Sequence, residues 1–140
     1  MATFNKYNCF VENLAEKVHN LASDTLKVAL TNTAPTSADT VWNTTAYPAP
    51  TAANGYTAGG NSLTVSSSSQ TAGTYKLVIA DTVFTSTAGG IGPFRYVVLY
   101  NSTASNAVIG YYDYGSSITL ADTETFTVDF DAVNGVLTIA

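Results

Sequence analysis

Phe94-Arg95-Tyr96-Val97-Val98-Leu99-Tyr100 is apolar at nearly every position, and it limits the possible folds more than any other stretch. A run like this, without alternation, is expected of a strand covered on both faces. It belongs in the middle of a packed β domain. Gly92-Pro93 opens the strand, and the small polar run Asn101 to Ala107 (NSTASNA) reads as a hairpin loop after it. The chain returns through Val108 to Tyr114, is expected to break at Gly115, and resumes as a short strand around Ile118 to Leu120. Thr125 to Asp131 (TFTVDFD) alternates strictly, the mark of a half-buried strand. Residues 92–140 thus read as one antiparallel meander.

The last turn carries a sharp local signal. Asn134 and Gly135 both tolerate positive φ, as a two-residue type I′ hairpin requires. That hairpin would place Phe126, Val128, Phe130, Leu137 and Ile139 on one face. Thr127, Asp129, Asp131 and Thr138 would share the other.

Towards the N-terminus the periodicity changes. Phe10, Leu14, Val18 and Leu21 fall at helical spacing, which predicts a helix over residues 9–21 with Asn8 as its N-cap. Such a helix packs across an opening or flank of the β core, or serves as an arm that docks on a partner. Thr25 to Thr31 reads as the first strand, with Leu26, Val28 and Leu30 on one face. Residues 32–60 are loop-like, rich in Pro, Ala, Thr and Gly, with Trp42, Tyr47 and Tyr56 spaced along them. A connection this long is expected to have a function or to be pinned by its own side chains. Its glycine cluster, Asn54 to Asn61, lacks a following GK[ST] and a helix, so it reads as turns rather than a phosphate cradle. Strands resume at Ser62–Ser66 and Thr74–Ala80, joined by a polar loop at 67–73, with a short strand in Asp81–Thr85.

The chain's 140 residues suit one domain with a core of its own. Only 11% of residues are charged, the formal net charge is −5, and the five cations (Lys6, Lys17, Lys27, Lys76, Arg95) form no basic run. A nucleic-acid partner is therefore not expected. Cys9 is alone, so no intrachain disulfide is available. No apolar run is long enough to span a bilayer, and the first residues lack the charged-then-apolar order of a secretory signal. The expectation is a cytoplasmically made protein without a membrane partner.

Candidate chemistry is sparse. His19, the single histidine, falls near the end of the predicted helix, where a partly protonated imidazole would complement the helix dipole. Cys9 reads as a small, partly buried hydrophobe. Asp129 with Asp131, and Asp122 with Glu124, lack the DxDxDG loop of a calcium site and read as solvated acidic surface. Arg95 sits in the most apolar strand, where an unpaired charge would be costly. Pairing Tyr100 with Val108 would put Arg95 opposite Asp113, and a cross-strand ion pair is expected there. No catalytic residue, cofactor-binding residue, cofactor or metal ligand emerges.

Several segments resemble a group of small virion proteins of tailed bacteriophages. They are Val18–Val28 (VHNLASDTLKV), Leu30–Pro35 (LTNTAP), Asn54–Gly60 (NGYTAGG), Arg95–Tyr100 (RYVVLY), and Val128–Asp131 with Gly135–Leu137. Together they are spread along most of the chain, from Val18 to Leu137. The resemblance implies a β-rich capsid decoration (cement) protein on the outside of the major capsid shell. It would be made in the host cytoplasm and located on the virion. Its motifs are structural, so the resemblance supplies no active-site residues.

The expected fold class is all-β: an antiparallel β-sandwich, jelly roll or barrel with one short N-terminal α-helix. Three function classes remain open. A structural virion protein would bind the major capsid protein and itself; a small domain gains avidity as a symmetric oligomer, and a trimer matches the local three-fold axes of a shell. A carbohydrate-binding module would use Trp42, Tyr47, Tyr56, Tyr111, Tyr112 and Tyr114 as stacking platforms, although Tyr111 and Tyr112 must point to opposite faces. An enzyme is the least supported. The residues proposed for interaction are Trp42, Tyr47 and Tyr56.

Overall fold

In chain order, the computed structural model, which describes residues 2–140, holds β1 (Phe4–Lys6), α1 (Cys9–Ala15), β2 (Leu26–Thr31), β3 (Asn61–Ser62), β4 (Val65–Thr71), β5 (Thr74–Ile79), β6 (Thr82–Thr85), β7 (Ile91–Asn101), β8 (Ala107–Leu120), β9 (Thr125–Val128) and β10 (Leu137–Ile139). The fold is all-β with one short helix, and every strand pairing is antiparallel. The apolar run lies in β7, the central strand of a sheet ordered β1-β8-β7-β2-β3. A second sheet is ordered β10-β5-β4, and β6 pairs with β9.

The lack of alternation in β7 has a direct cause in the packing. On one face of the large sheet, Leu26, Val28, Leu30, Val97, Leu99 and Ile109 meet Leu77, Ile79, Phe84 and Val128 from the smaller sheets and Phe130 just beyond β9. On the other face, Ala29, Val98, Tyr100 and Val108 are covered by Tyr7 and by Trp42 and Tyr47 of the long connection. The part of the connection that carries Trp42 and Tyr47 is thus a third layer over a two-layer β-sandwich-like body, whereas Tyr56, farther along, enters the main core. Burying an aromatic ring contributes on the order of 2–3 kcal/mol, so the connection is held by its own side chains. Its turns suit that course. Asn54 and Gly55 have φ of 55° and 93°, with the Tyr56 N–H donating to Ala53 O at 2.9 Å, the signature of a type I′ turn. At Gly60 a Cβ would come within 1.8 Å of Val28 O, so only glycine lets the connection run this close to β2.

The helix is shorter than the periodicity predicts. It ends at Ala15, and Lys17 takes φ 66°. The Val18 N–H donates to Asn13 O at 2.8 Å and the Lys17 N–H to Leu14 O at 3.3 Å. These two bonds are a Schellman ending, here with lysine in the left-handed position usually taken by glycine. The stripe is therefore broken: Phe10 is buried and Leu14 half-buried, Val18 is 40% exposed, and Leu21 reaches the core from a turn. Asn8 is the N-cap residue, but its side chain makes no capping hydrogen bond.

Three strand expectations are also corrected. First, the C-terminal meander stops after β8. β9 pairs with β6, with Phe126 opposite Phe84, and β10 pairs with β5, with Leu137 opposite Leu77. The reason lies in Asp131. Its Oδ1 accepts the N–H groups of Val133 (2.9 Å) and Asn134 (2.7 Å), and its carbonyl accepts that of Gly135 (2.9 Å). Gly135 is left-handed at φ 83°, but Asn134 is not, so the type I′ hairpin does not form. The chain turns away to β5 instead. Within β9 the predicted alternation holds, whereas Val136 is buried and Ile139 is 38% exposed.

Second, the serine run expected as loop 67–73 is strand β4. The connection to β5 shrinks to Ala72-Gly73 (φ 49° and 86°), flanked by the Thr71–Thr74 pair, so a two-residue turn of type I′ sits here. Third, β8 continues through Gly115 (φ 96°) without ending. Phe4–Lys6 adds an edge strand beside β8 that periodicity did not signal.

Candidate functional site

The expected ion pair forms. Arg95 Nε lies 2.7 Å from Asp113 Oδ1 and Nη2 lies 2.8 Å from Oδ2, a two-pronged contact. Tyr100 does pair with Val108, but a bulge follows, so Tyr96 is the residue opposite Asp113 and Arg95 reaches it diagonally. Arg95 is not sealed in the apolar strand: the two side chains are 38% and 35% exposed. The Arg95 hydrogen bond holds the Asp113 carboxyl below its ordinary range. Asp113 Oδ1 also accepts the Gly115 N–H at 2.8 Å. The pair closes the point where the β7–β8 ladder opens between Tyr96–Asp113 and Phe94–Ile118.

Trp42, Tyr47 and Tyr56 are core residues, only 6%, 2% and 3% exposed. Tyr56 stacks near Phe84 in the main core, and its hydroxyl accepts the Leu30 N–H at 3.1 Å. The Tyr47 hydroxyl donates to the Asp39 carboxylate and lies 3.5 Å from the Tyr7 hydroxyl. Burial first, and hydrogen bonding second, push both tyrosines far above their ordinary pKa. Burial also pushes Asp39 upward, but hydrogen bonds from Tyr47 and from the Thr36 amide outweigh it and hold the carboxyl low. These rings fasten the long connection, so they do not present flat faces to a sugar. Tyr111 and Tyr112 do point to opposite faces: Tyr111 packs on Tyr7, and Tyr112 packs against Phe4 and Phe130.

His19 lies beyond the helix and is buried, 5% exposed, with its ring near Phe10. Asn101 Oδ1 accepts the Thr103 and Ala104 N–H groups, which turns its amide nitrogen towards His19 Nδ1 (3.1 Å) and Asp24 Oδ2 (2.7 Å). Nδ1 is therefore an acceptor and the ring is neutral. Burial lowers its pKa, partly opposed by the Asp24 charge. The expected dipole-complementing cation is replaced by a buried neutral ring. The Cys9 thiol is half-buried, lies 3.5 Å from Asp39 O, and has its pKa raised by burial.

The acidic residues mostly tie down turns. Asp122 Oδ1 accepts the Ala88 N–H (2.6 Å), Glu124 Oε2 accepts the Ala121 N–H (2.7 Å), and Asp131 holds residues 133 and 134. Among the described residues, no group of three or more His, Cys, Asp or Glu side chains could hold a metal ion, and no helix is long and apolar enough to cross a membrane.

Two surface features were not assembled by sequence reasoning. One is a groove of about 680 Å³ between α1, β1 and β10, lined by Phe4, Phe10, Val11, Leu14, Leu137 and Ile139 among others. Val11 (52% exposed) and Ile139 leave an apolar flank along it, and Val18 continues it into a neighbouring groove that shares Leu14 and Ile139. Val11 lies off the helical stripe, and Ile139 reaches the flank only because β10 leaves the expected hairpin. The other is a groove of about 350 Å³ beside Tyr112, Tyr114, Phe126 and Asp129. Tyr114 is 56% exposed there and stands edge-on to Phe126. Comparison with protein families, with characterised proteins and with solved structures finds no match.

Proposed function

We propose that this chain is a structural virion protein, a decoration or cement protein that binds the outside of a phage major capsid shell and stabilises it. The observation that carries this reading is the apolar flank of α1 and β10. Val11 and Ile139 stand exposed beside a groove with Phe4, Phe10 and Leu14 in its wall, and exposed Val18 lines a second groove that shares Leu14 and Ile139. A contiguous exposed apolar surface suits contact with another protein. The aromatic connection adds rigidity: Trp42 and Tyr47 fix it over the outer face of the large sheet, and Tyr56 anchors it in the main core. On this reading the chain acts by binding, without a cofactor or a catalytic step, on the virion surface after synthesis in the host cytoplasm.

The working form is a symmetric oligomer, a trimer. One domain of this size offers a modest patch, and copies joined about an axis bind together with avidity. Closed cyclic symmetry matches a local three-fold axis of a shell. Light scattering on the purified chain tests the stoichiometry, with about three chains per particle expected from this symmetry.

A second reading has one observation in its favour. Tyr114 is exposed, with Tyr112, Thr127 and Asp129 beside it in the smaller groove, and an aromatic face flanked by polar groups suits a sugar ring. Glycan-array binding that Tyr114→Ala abolishes would favour a carbohydrate-binding module over the decoration role.

A further inference from the structure

Strand β4 has seven residues and pairs with β5 on one side only, which makes it the longest of the strands that end a sheet among the described residues. The other strands that end a sheet, β1, β3, β10, β6 and β9, have three, two, three, four and four residues. Proteins blunt such edges with charge, proline, shortness or a bulge. The sequence of β4, VSSSSQT, has neither charge nor proline. Its one blunting device is the irregularity between Val65 and Ser67, which leaves Ser67 to Thr71 as a regular edge.

The ladder says which groups face outward. Thr71 and Thr74 pair across a two-residue turn, the position at which an antiparallel hairpin exchanges both hydrogen bonds. Alternation along an antiparallel pair then turns the N–H and C=O of Ser68 and Gln70 away from β5. Ser67 and Ser69 share a face, with their hydroxyls 3.2 Å apart, and Ser69 is exposed.

We propose that β4 pairs antiparallel with β4 of a second copy of this chain across a two-fold axis, with Ser69 opposite its own counterpart and Ser68 opposite the counterpart of Gln70. In this register both outward-facing residues on each strand find donors and acceptors. Self-pairing opposes only Ser, Gln and Thr side chains, so no like charges meet even though the chain carries −5. The contact is isologous and closes on itself. It rests on the sheet edge and not on the decoration reading. On a shell it would join neighbouring oligomers sideways. The paired edge is short, so the contact strengthens as copies crowd together.

Cysteine cross-linking of the full chain tests the pairing. In this register the two Ser69 Cα atoms form a non-hydrogen-bonded pair at about 4.5 Å, within the disulfide range. Under mild oxidation, Ser69→Cys should give a disulfide-linked dimer at least about tenfold faster than Thr138→Cys on the β10 edge, because only the former thiols are held in that range. Cys9 is present in both chains, so its contribution cancels. Adding Ser68→Pro, which removes an outward N–H and no backbone bond to β5, should abolish the excess while the circular dichroism spectrum is unchanged; Ser68→Ala, which removes only the hydroxyl contact with the Tyr75 hydroxyl of β5 (2.8 Å), should keep it. Ser69→Lys, an exposed substitution that sets two like charges on the axis, should weaken association measured by sedimentation, and added salt should restore it. Equal cross-linking rates for the two cysteine variants would overturn the proposal, as would a Ser69→Lys chain that associates like the original.

Discussion

Trp42 lies flat against Tyr100, with ring centroids 4.7 Å apart and planes 11° from parallel. The Tyr100 hydroxyl continues to Gly59 O at 2.7 Å. One residue of the central strand therefore holds both an early and a late point of the 32–60 connection. Burial pushes the Tyr100 hydroxyl pKa up to about 12, so it stays a donor across the working pH range. Trp42→Ala should lower stability by about 3–5 kcal/mol, the range for deleting a buried aromatic. Denaturant melts check the size, and limited proteolysis should find the first new cuts within residues 32–60. Unchanged cleavage there would mean the connection does not depend on this stack.

Asp39 and Tyr47 give the connection an acid-sensitive fastening. The folded Asp39 carboxyl releases its proton more readily than the unfolded one, whose ordinary value is 3.8. Its stabilising contribution is therefore full above that value and is lost as pH falls through the folded pKa. Tyr47→Phe removes the hydroxyl donor, so the stability gap between the original and the variant should narrow at strongly acid pH. Thermal melts across an acid pH series check this; a constant gap would count against it.

His19 acts in a different pH window. Its ordinary value is 6.5 and burial lowers it in the folded chain. The unfolded state then binds the proton more readily, so stability is constant above about pH 6.5 and declines as pH falls below it. A neutral replacement, His19→Gln, should flatten that decline. Melting midpoints at neutral and mildly acid pH test it, and a slope that survives the substitution would assign the effect to another group.

Arg95 and Asp113 are half-exposed, so their pair should matter locally more than globally. Asp113→Ala should speed hydrogen exchange at the Gly115 amide, which Asp113 Oδ1 now holds, with little change in the melting midpoint. A large drop in midpoint would show that the pair sets the whole β7–β8 register.

What could be read in advance was whatever one strand or one pair determines. The unbroken apolar run of β7 indicated two covered faces; the Arg95–Asp113 pair was expected and forms, but one residue off the expected register, because the bulge between Leu99 and Tyr100 leaves no signal in the sequence. The fate of Asn134-Gly135 was not legible, because Asp131 competes for the turn's amides with its own carboxylate. The serine run hid β4, since its strand character comes from pairing with Leu77 and Val78 rather than from its own propensity. The helix was overextended because Lys17 takes a left-handed conformation that its residue type rarely signals. The apolar flank joins α1 to β10, more than a hundred positions apart, and no local pattern joins them.

The central claim is that this flank seats the chain on a capsid shell. The most direct measurement is co-sedimentation of the purified chain with undecorated phage shells, alongside Val11→Asp. Val11 is 52% exposed, so the substitution should change stability by no more than about 0.5 kcal/mol while setting a charge in the apolar contact. Saturable binding that raises shell resistance to heat, and is lost in Val11→Asp, is the expected result. A folded chain that never binds such shells, or that binds equally well with Val11→Asp, would contradict it.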